Sequence, residues 1–204
     1  MNIPKLIVPD LVKNAAALAM GLPTYVKIMK MYTGGRSLLG DDGGGFQKAF
    51  NAFYKVRRDK SWRKKFYEIF EDFRTGHERS FREVLEELSK EKTRYGQMFV
   101  DASFVSKMFA TVDPMNPIVD SFVLKTIGEK LSEGSREEKL AYADSLYTEL
   151  KKKVECYLQS EDGRSLIAKF DEIFPEYKDV SPVKKLDCLM WQYGNDLSNE
   201  VVRV

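Results

Sequence analysis

The sequence is poor in the residues that most often carry covalent or metal chemistry. It has two cysteines, Cys156 and Cys188, and one histidine, His77. Two widely separated cysteines form neither a disulfide framework nor a CxxC motif, and we interpret both as buried thiols on helices. With a single histidine, which lies in a polar stretch, neither a histidine-based zinc site nor a serine–histidine triad is expected. The sequence therefore predicts no metal site and no cofactor.

Long hydrophobic runs and a large net charge are also lacking. The apolar run at residues 15–22 is too short to cross a membrane, and no signal-peptide pattern accompanies it. We therefore expect no membrane partner and a cytoplasmic location, in a microbe. The formal net charge is +2, which is too small to imply binding to nucleic acid by itself. Any electrostatic argument for a binding surface must be a local one.

Strand patterns are missing, and almost every apolar pattern has a helical period. The sequence predicts an all-α fold, a compact array of about eight to ten short helices with short connections. We expect a main domain at residues 46–204 and an N-terminal helical extension at residues 1–45. Pro23 is expected to divide two helices in that extension. Residues 36–45 are interpreted as a flexible glycine-rich connector, because a phosphate-binding loop would need a preceding strand and a following GK[ST].

Helix termini are marked by clear local signals. Capping boxes occur at Ser80–Glu83 and at Ser135–Glu138. The pair Ser181–Pro182 is typical of an N-cap followed by proline in the first helical position. We expect the helix that follows it to end at Gly194.

A basic cluster is the first candidate for function. Its members are Lys55, Arg57, Arg58, Lys60, Arg63, Lys64 and Lys65. Aromatic residues interleave with them, and cations beside aromatics can neutralise phosphates and stack on bases. This pattern predicts contact with DNA. The alternative is a solvated face in which the aromatics belong to the core and acids between Glu68 and Glu91 pair with the cations.

Lys107 and Asp120 are the second candidate, as a catalytic pair. Lys107 interrupts an otherwise apolar helical pattern, which places it at the edge of a buried face. A lysine amine withdrawn from water can serve as a nucleophile. Asp120 stands where a helix N-cap is expected, between the apolar segments Pro117–Val119 and Ser121–Val123. In the alternative interpretation Asp120 is only a cap, and the Lys107 side chain extends to solvent.

Four segments resemble a bacterial all-helical family that has no established activity. They are FYKVRR at 53–58, SFVSKMFAT at 103–111, PIVDSFVLK at 117–125 and LDCLMWQYG at 186–194. That family is in turn distantly similar to the helix-hairpin-helix DNA glycosylases. By this resemblance Lys107 would be the amine nucleophile at the sugar, and Asp120 the carboxylate that stabilises the developing cation. The sequence departs from the glycosylase pattern at 100–104, where VDASF replaces a glycine-rich turn, and it lacks a four-cysteine cluster.

Two functions follow as hypotheses. The first is a nucleic-acid-associated protein of the glycosylase type, with DNA as its partner. The second is a non-enzymatic helical module that binds a protein or a small ligand and in which the Lys107–Asp120 pair is structural. The two differ in where the Lys107 amine points.

Overall fold

Helices form almost all of the regular structure. The computed structural model describes residues 3–4, 13, 15–93 and 95–201. Over those residues it has nine α-helices, one short 3-10 helix at Pro175–Tyr177, and no β-structure beyond an isolated bridge between Lys92 and Met98. The helices are α1 (Ala15–Thr33), α2 (Gly40–Tyr54), α3 (Lys60–Arg74), α4 (Phe81–Leu88), α5 (Ala102–Val112), α6 (Ser121–Thr126), α7 (Arg136–Gln159), α8 (Glu161–Ile173) and α9 (Pro182–Val201). The all-α prediction is confirmed.

Aromatic rings pack α2 against α3. Phe46 and Phe50 lie one turn apart on α2, Phe66 and Phe70 lie one turn apart on α3, and none is more than 3% exposed. The Phe46 and Phe70 rings meet edge to face with centroids 5.4 Å apart, an arrangement that the ring quadrupoles favour. The stripe continues along α2 to Tyr54, whose ring centroid is 4.7 Å from that of Phe50. This packing carries the end of α2 into the interior of the protein.

The prediction of two helices separated at Pro23 is wrong. One helix, α1, runs through the proline from Ala15 to Thr33. A proline inside a helix costs about 3 kcal/mol. Burial of one large apolar side chain stabilises the fold by about 1.5–3 kcal/mol, and α1 buries a whole stripe of such side chains. The stripe consists of Leu18, Leu22, Tyr25, Ile28 and Tyr32. The predicted helix start at Asp10 lies outside the described residues.

The prediction of a flexible connector at residues 36–45 is also wrong. Helix α2 begins at Gly40 and includes the glycine run. The residues before it are fixed, since the Leu38 amide donates to Glu71 over 3.0 Å and the Leu38 carbonyl accepts from Gln47 over 2.7 Å. A Cβ on Gly43 would stand 1.9 Å from the Leu38 carbonyl oxygen, so this turn closes only with glycine.

The C-terminal helix extends further than predicted. Gly194 does not end α9, which continues to Val201. A Cβ at Gly194 would lie 2.0 Å from the Phe122 carbonyl oxygen, so this glycine lets α6 and α9 approach closely. The Thr126 hydroxyl donates to the Met190 carbonyl over 2.6 Å and ties the same two helices together. The site described below depends on this contact.

The local capping predictions are confirmed. Both capping boxes form, at Ser80–Glu83 and Ser135–Glu138. Ser181 accepts from the Lys184 amide over 3.1 Å at the start of α9. Each of these signals involves residues within one helical turn, so the sequence alone is enough to specify them.

The cysteine prediction holds only in part. Both cysteines lie on helices, but Cys156 is exposed and Cys188 is half-buried. Cys156 falls on the outer face of α7, which turns its buried side chains inward at Leu146, Leu150 and Val154.

Among the described residues, no helix combines the length and apolar content needed to span a membrane.

Candidate functional site

Lys107 points inward and meets Asp120. The two side chains are 9% and 16% exposed, and Lys107 Nζ lies 3.0 Å from Asp120 Oδ2. The same ammonium donates to the Ser103 hydroxyl over 3.0 Å. The structure therefore brings the predicted catalytic residues together. The alternative in which Lys107 extends to solvent is wrong.

Ser106 positions Asp120 beside the lysine. Its hydroxyl accepts from the Val119 amide over 2.9 Å and donates to the Ser103 carbonyl over 3.0 Å. That bridge fixes the loop after α5 so that its last residue, Asp120, faces Lys107. Asp120 also caps α6, because its Oδ1 accepts from the Phe122 amide over 3.1 Å. One carboxylate thus serves as N-cap with one oxygen and as counter-ion with the other.

A second buried ion pair lies nearby on α9. Lys184 Nζ is 2.6 Å from Asp187 Oδ2, and the two side chains are 8% and 7% exposed. Our sequence analysis did not identify these residues. The sequence does indicate that Lys184 and Asp187 are close to the core, because both lie between the core positions Val183, Leu186 and Met190 of a helix. We call Lys107, Asp120, Lys184 and Asp187 the inner charge cluster.

The Tyr54 ring links the two ion pairs. Lys107 Nζ lies 5.8 Å and Lys184 Nζ 5.9 Å from the centroid of this ring, within range of a cation–π attraction. Burial raises the pKa of the Tyr54 hydroxyl to about 12, although the charge of Lys184 opposes the rise. Tyr54 therefore stays neutral at ordinary pH and presents an aromatic face to both cations.

The charges of Lys184 and Asp187 depend strongly on each other. Burial acts to lower the pKa of Lys184, but the charges of Asp187, Cys188 and Tyr54 and the hydrogen bond to Asp187 together outweigh it and hold that pKa well above its usual value. For Asp187, burial raises the pKa and the charge of Lys184 opposes the rise. Asp187 Oδ1 is buried without a hydrogen-bond partner, so the cost of burying this carboxylate is only partly compensated. The charges of Asp120 and Lys107 also act on Asp187, so the two pairs form one electrostatic unit.

The basic cluster divides into paired and unpaired cations. Lys64 pairs with Glu68, Lys65 with Glu87, and Arg58 with Asp101. In the part of the chain that the structure describes, the other members form no ion pair; they are Lys55, Arg57, Lys60 and Arg63. Lys55, Arg57 and Lys60 are exposed, whereas Arg63 is half-buried.

The aromatic residues interleaved with the basic cluster belong to the core. Tyr54, Trp62, Phe66 and Tyr67 are all buried, so none of them offers a ring to a base. The solvated-face alternative is correct on this point and on the pairing of Lys64 and Lys65 with acids. The exposed ring next to the cluster comes from elsewhere in the chain. The Arg58 guanidinium lies 4.7 Å from the centroid of Phe99 and 5.4 Å from that of Phe104.

The inner charge cluster does not open into either of two surface grooves of the described residues. One groove, of about 770 Å³, runs along α1 and the start of α2, and the other, of about 320 Å³, lies beside Met98 and Leu131. Neither is lined by Lys107 or Asp120. Over the described residues, no group of three or more histidine, cysteine, aspartate or glutamate side chains could hold a metal ion.

The fold and site together define an all-helical protein with a buried lysine–aspartate pair next to a basic surface. No protein-family model, curated protein or solved structure matches the chain. The similarity to the helix-hairpin-helix DNA glycosylases rests on Ser106–Lys107 and on Pro117–Val123, and it stays a prediction.

Proposed function

We propose that the protein acts on nucleic acid with chemistry of the DNA-glycosylase type, with Lys107 as the nucleophile and Asp120 as its partner carboxylate. One observation carries the proposal. The Lys107 amine and the Asp120 carboxylate are 3.0 Å apart and almost enclosed, at the two positions that the glycosylase resemblance assigns. In such a water-poor setting a fixed carboxylate stabilises a developing positive charge far better than in water.

The chemistry can be written with these two groups. The Lys107 ammonium first loses one proton to solvent. The neutral nitrogen then donates its lone pair to the sugar carbon that bears the base, and the bond to the base breaks. The base leaves with the bonding electrons and takes up the proton that the nitrogen releases. The Asp120 carboxylate stabilises the positive charge on the sugar during bond cleavage. Opening of the sugar ring then gives an imine on the lysine.

The electrostatics of α3 support a nucleic-acid partner. Asp59 is its N-cap residue, and the first turn that follows contains Lys60 and Arg63 and no acidic residue. Cations at a helix N-terminus are unfavourable because the helix dipole is positive there. A phosphate backbone would relieve this repulsion, and Lys55 and Arg57 extend the same surface.

Borohydride trapping tests the proposal. Duplexes that carry damaged bases are incubated with the protein and sodium borohydride, which reduces an imine to a stable adduct. We expect a covalent complex with the wild-type protein and none with Lys107→Ala. Lys152→Ala is the matched control, since Lys152 is exposed on α7 and lies outside both the basic cluster and the inner charge cluster. Equal trapping by the wild type and Lys107→Ala would refute the assignment.

A second candidate is a non-enzymatic helical module that binds a protein or a small ligand. It is favoured by the way Lys107 is satisfied, with Ser103 and Asp120 both in hydrogen-bonding contact. Under this function Lys107→Ala changes stability alone. The trapping experiment therefore separates the two candidates.

A further inference from the structure

We propose that the exposed side chains of residues 95–101 form a stacking platform for unpaired bases, which gives the protein a preference for single-stranded or locally opened nucleic acid over intact duplex. This inference rests on the nucleic-acid partner of the proposed function and adds the form of nucleic acid that is bound.

Exposed apolar side chains concentrate on this segment. Tyr95 is 74% exposed, Met98 51% and Phe99 40%, and Leu131 beside them is 39% exposed. Single exposed apolar residues are ordinary, but a contiguous group of large ones marks a binding surface. Two of these residues are aromatic, and an exposed ring offers a face on which any base can stack.

The segment holds its shape through its own backbone. The Thr93 amide donates to the Gln97 carbonyl and the Gly96 amide to the Thr93 carbonyl, each over 2.8 Å. The bridge between Lys92 and Met98 closes the turn. The rings are therefore presented by an ordered turn, which lowers the entropy lost when a ligand stacks on them.

A small groove adjoins the platform. It has a volume of about 320 Å³, and its walls include Met98, Phe99, Val100 and Leu131 together with Arg136 and Lys139. The Arg136 guanidinium is held by the Ser89 hydroxyl and the Glu86 carbonyl. Across the described residues neither cation has a carboxylate partner. Apolar walls suit the face of a base, and the two cations suit the phosphate attached to it.

The platform is continuous with both the basic cluster and the candidate active site. Arg58, a member of the basic cluster, lies 4.7 Å from the Phe99 ring centroid and 5.4 Å from that of Phe104. The Phe104 ring centroid is in turn 5.5 Å from Lys107 Nζ. A strand whose base stacks on Phe99 thus lies within two side chains of the proposed nucleophile. In intact duplex the faces of the bases are covered by their neighbours, so this surface selects bases that are unstacked.

Fluorescence anisotropy tests the platform directly. A labelled oligonucleotide is titrated with protein as a single strand and, annealed to its complement, as a duplex. We expect tighter binding of the single strand by the wild type. Phe99→Ala and Tyr95→Ala should each weaken single-strand binding by about five- to a hundredfold, the range for loss of one base–aromatic stack. Duplex binding should change little, and thermal melting of each variant verifies folding.

Met115→Ala is the matched control, because Met115 is 50% exposed but lies outside the platform and the groove. Affinities of Phe99→Ala and Tyr95→Ala equal to that of Met115→Ala would overturn the inference, as would tighter binding of duplex than of single strand. A surface that serves a protein partner would give the former result. Failure here is distinguishable from failure of the proposed function, since borohydride trapping at Lys107 does not require either aromatic residue.

Discussion

The protein carries two groups of cations that lie close together but differ in almost every physical respect. In the inner charge cluster, Lys107 and Lys184 are nearly enclosed, and each has a carboxylate within 3.0 Å. In the basic cluster, Lys64 is 76% exposed and 3.8 Å from its acid, and Arg57 has no acid at all in the described part of the chain. Arg58 and Phe104 form the physical link between the two groups.

The difference indicates which cations suit catalysis and which suit attraction of a ligand. A buried ion pair is costly to desolvate, and it is maintained only by exact placement of both partners and of the groups around them. Such placement is what a catalytic amine requires. An exposed cation contributes little to stability and is screened by salt, yet it can exchange its counter-ions for a phosphate backbone. We therefore assign chemistry to the inner group and attraction of the ligand to the outer one.

The largest effect is expected from breaking the second buried pair. Lys184→Met leaves Asp187 enclosed without its counter-ion, and removal of one partner of a buried pair costs about 3–5 kcal/mol. Urea denaturation measures the loss in the free energy of unfolding. The double variant Lys184→Met, Asp187→Leu should recover most of it, because an apolar pair of similar volume needs no charge compensation. Lys64→Met, at an exposed pair, should change stability by less than about 0.5 kcal/mol. Similar losses at both lysines would contradict the contrast between the two groups.

A smaller effect separates the two roles of Asp120. Asp120→Asn keeps an oxygen that can accept from the Phe122 amide but removes the charge opposite Lys107. Asp120→Ala removes both, so it should be less stable than the asparagine variant by about 1 kcal/mol, the usual contribution of an N-cap. Denaturation midpoints of the two variants measure the difference. Identical midpoints would show that the cap contributes nothing.

The smallest effect on stability is expected in the basic cluster. Arg57→Ala removes an exposed side chain and should leave the melting temperature unchanged. In DNA binding it should reduce the slope of log K against log salt by about 1, the value for one lost phosphate contact. Lys152→Ala, at an exposed lysine on α7 outside the cluster, is the control and should keep the wild-type slope. A wild-type slope in Arg57→Ala would exclude this arginine from the binding surface.

Local signals made much of the fold predictable. The capping boxes and the apolar stripes of α3 and α4 act within one or two turns, so the sequence specifies them without knowledge of the rest of the chain. Errors occurred where distant packing overrides local preference. Pro23 is tolerated because α1 buries a full stripe, and the glycine run is helical because Leu38 packs against Gly43.

The candidate site was also predictable only in part. The glycosylase resemblance assigned both Lys107 and Asp120, but the sequence left open whether the Lys107 amine faces Asp120 or extends to solvent. Lys184 and Asp187 come from α9, which is remote in sequence and packs against α6 through the close approach at Gly194 and the hydrogen bond from Thr126 to Met190. The exposed ring of Phe99 was missed because its sequence neighbourhood resembles the apolar pattern of a buried segment.

Locating the trapped adduct tests the central claim most directly. After borohydride reduction with a damaged-base duplex, the complex is digested and the modified peptide identified by mass spectrometry. The account predicts a single modified residue, Lys107, although the lysines of the basic cluster are far more accessible. Modification of Lys55, Lys60 or Lys64 in its place, or no adduct at Lys107, would contradict it.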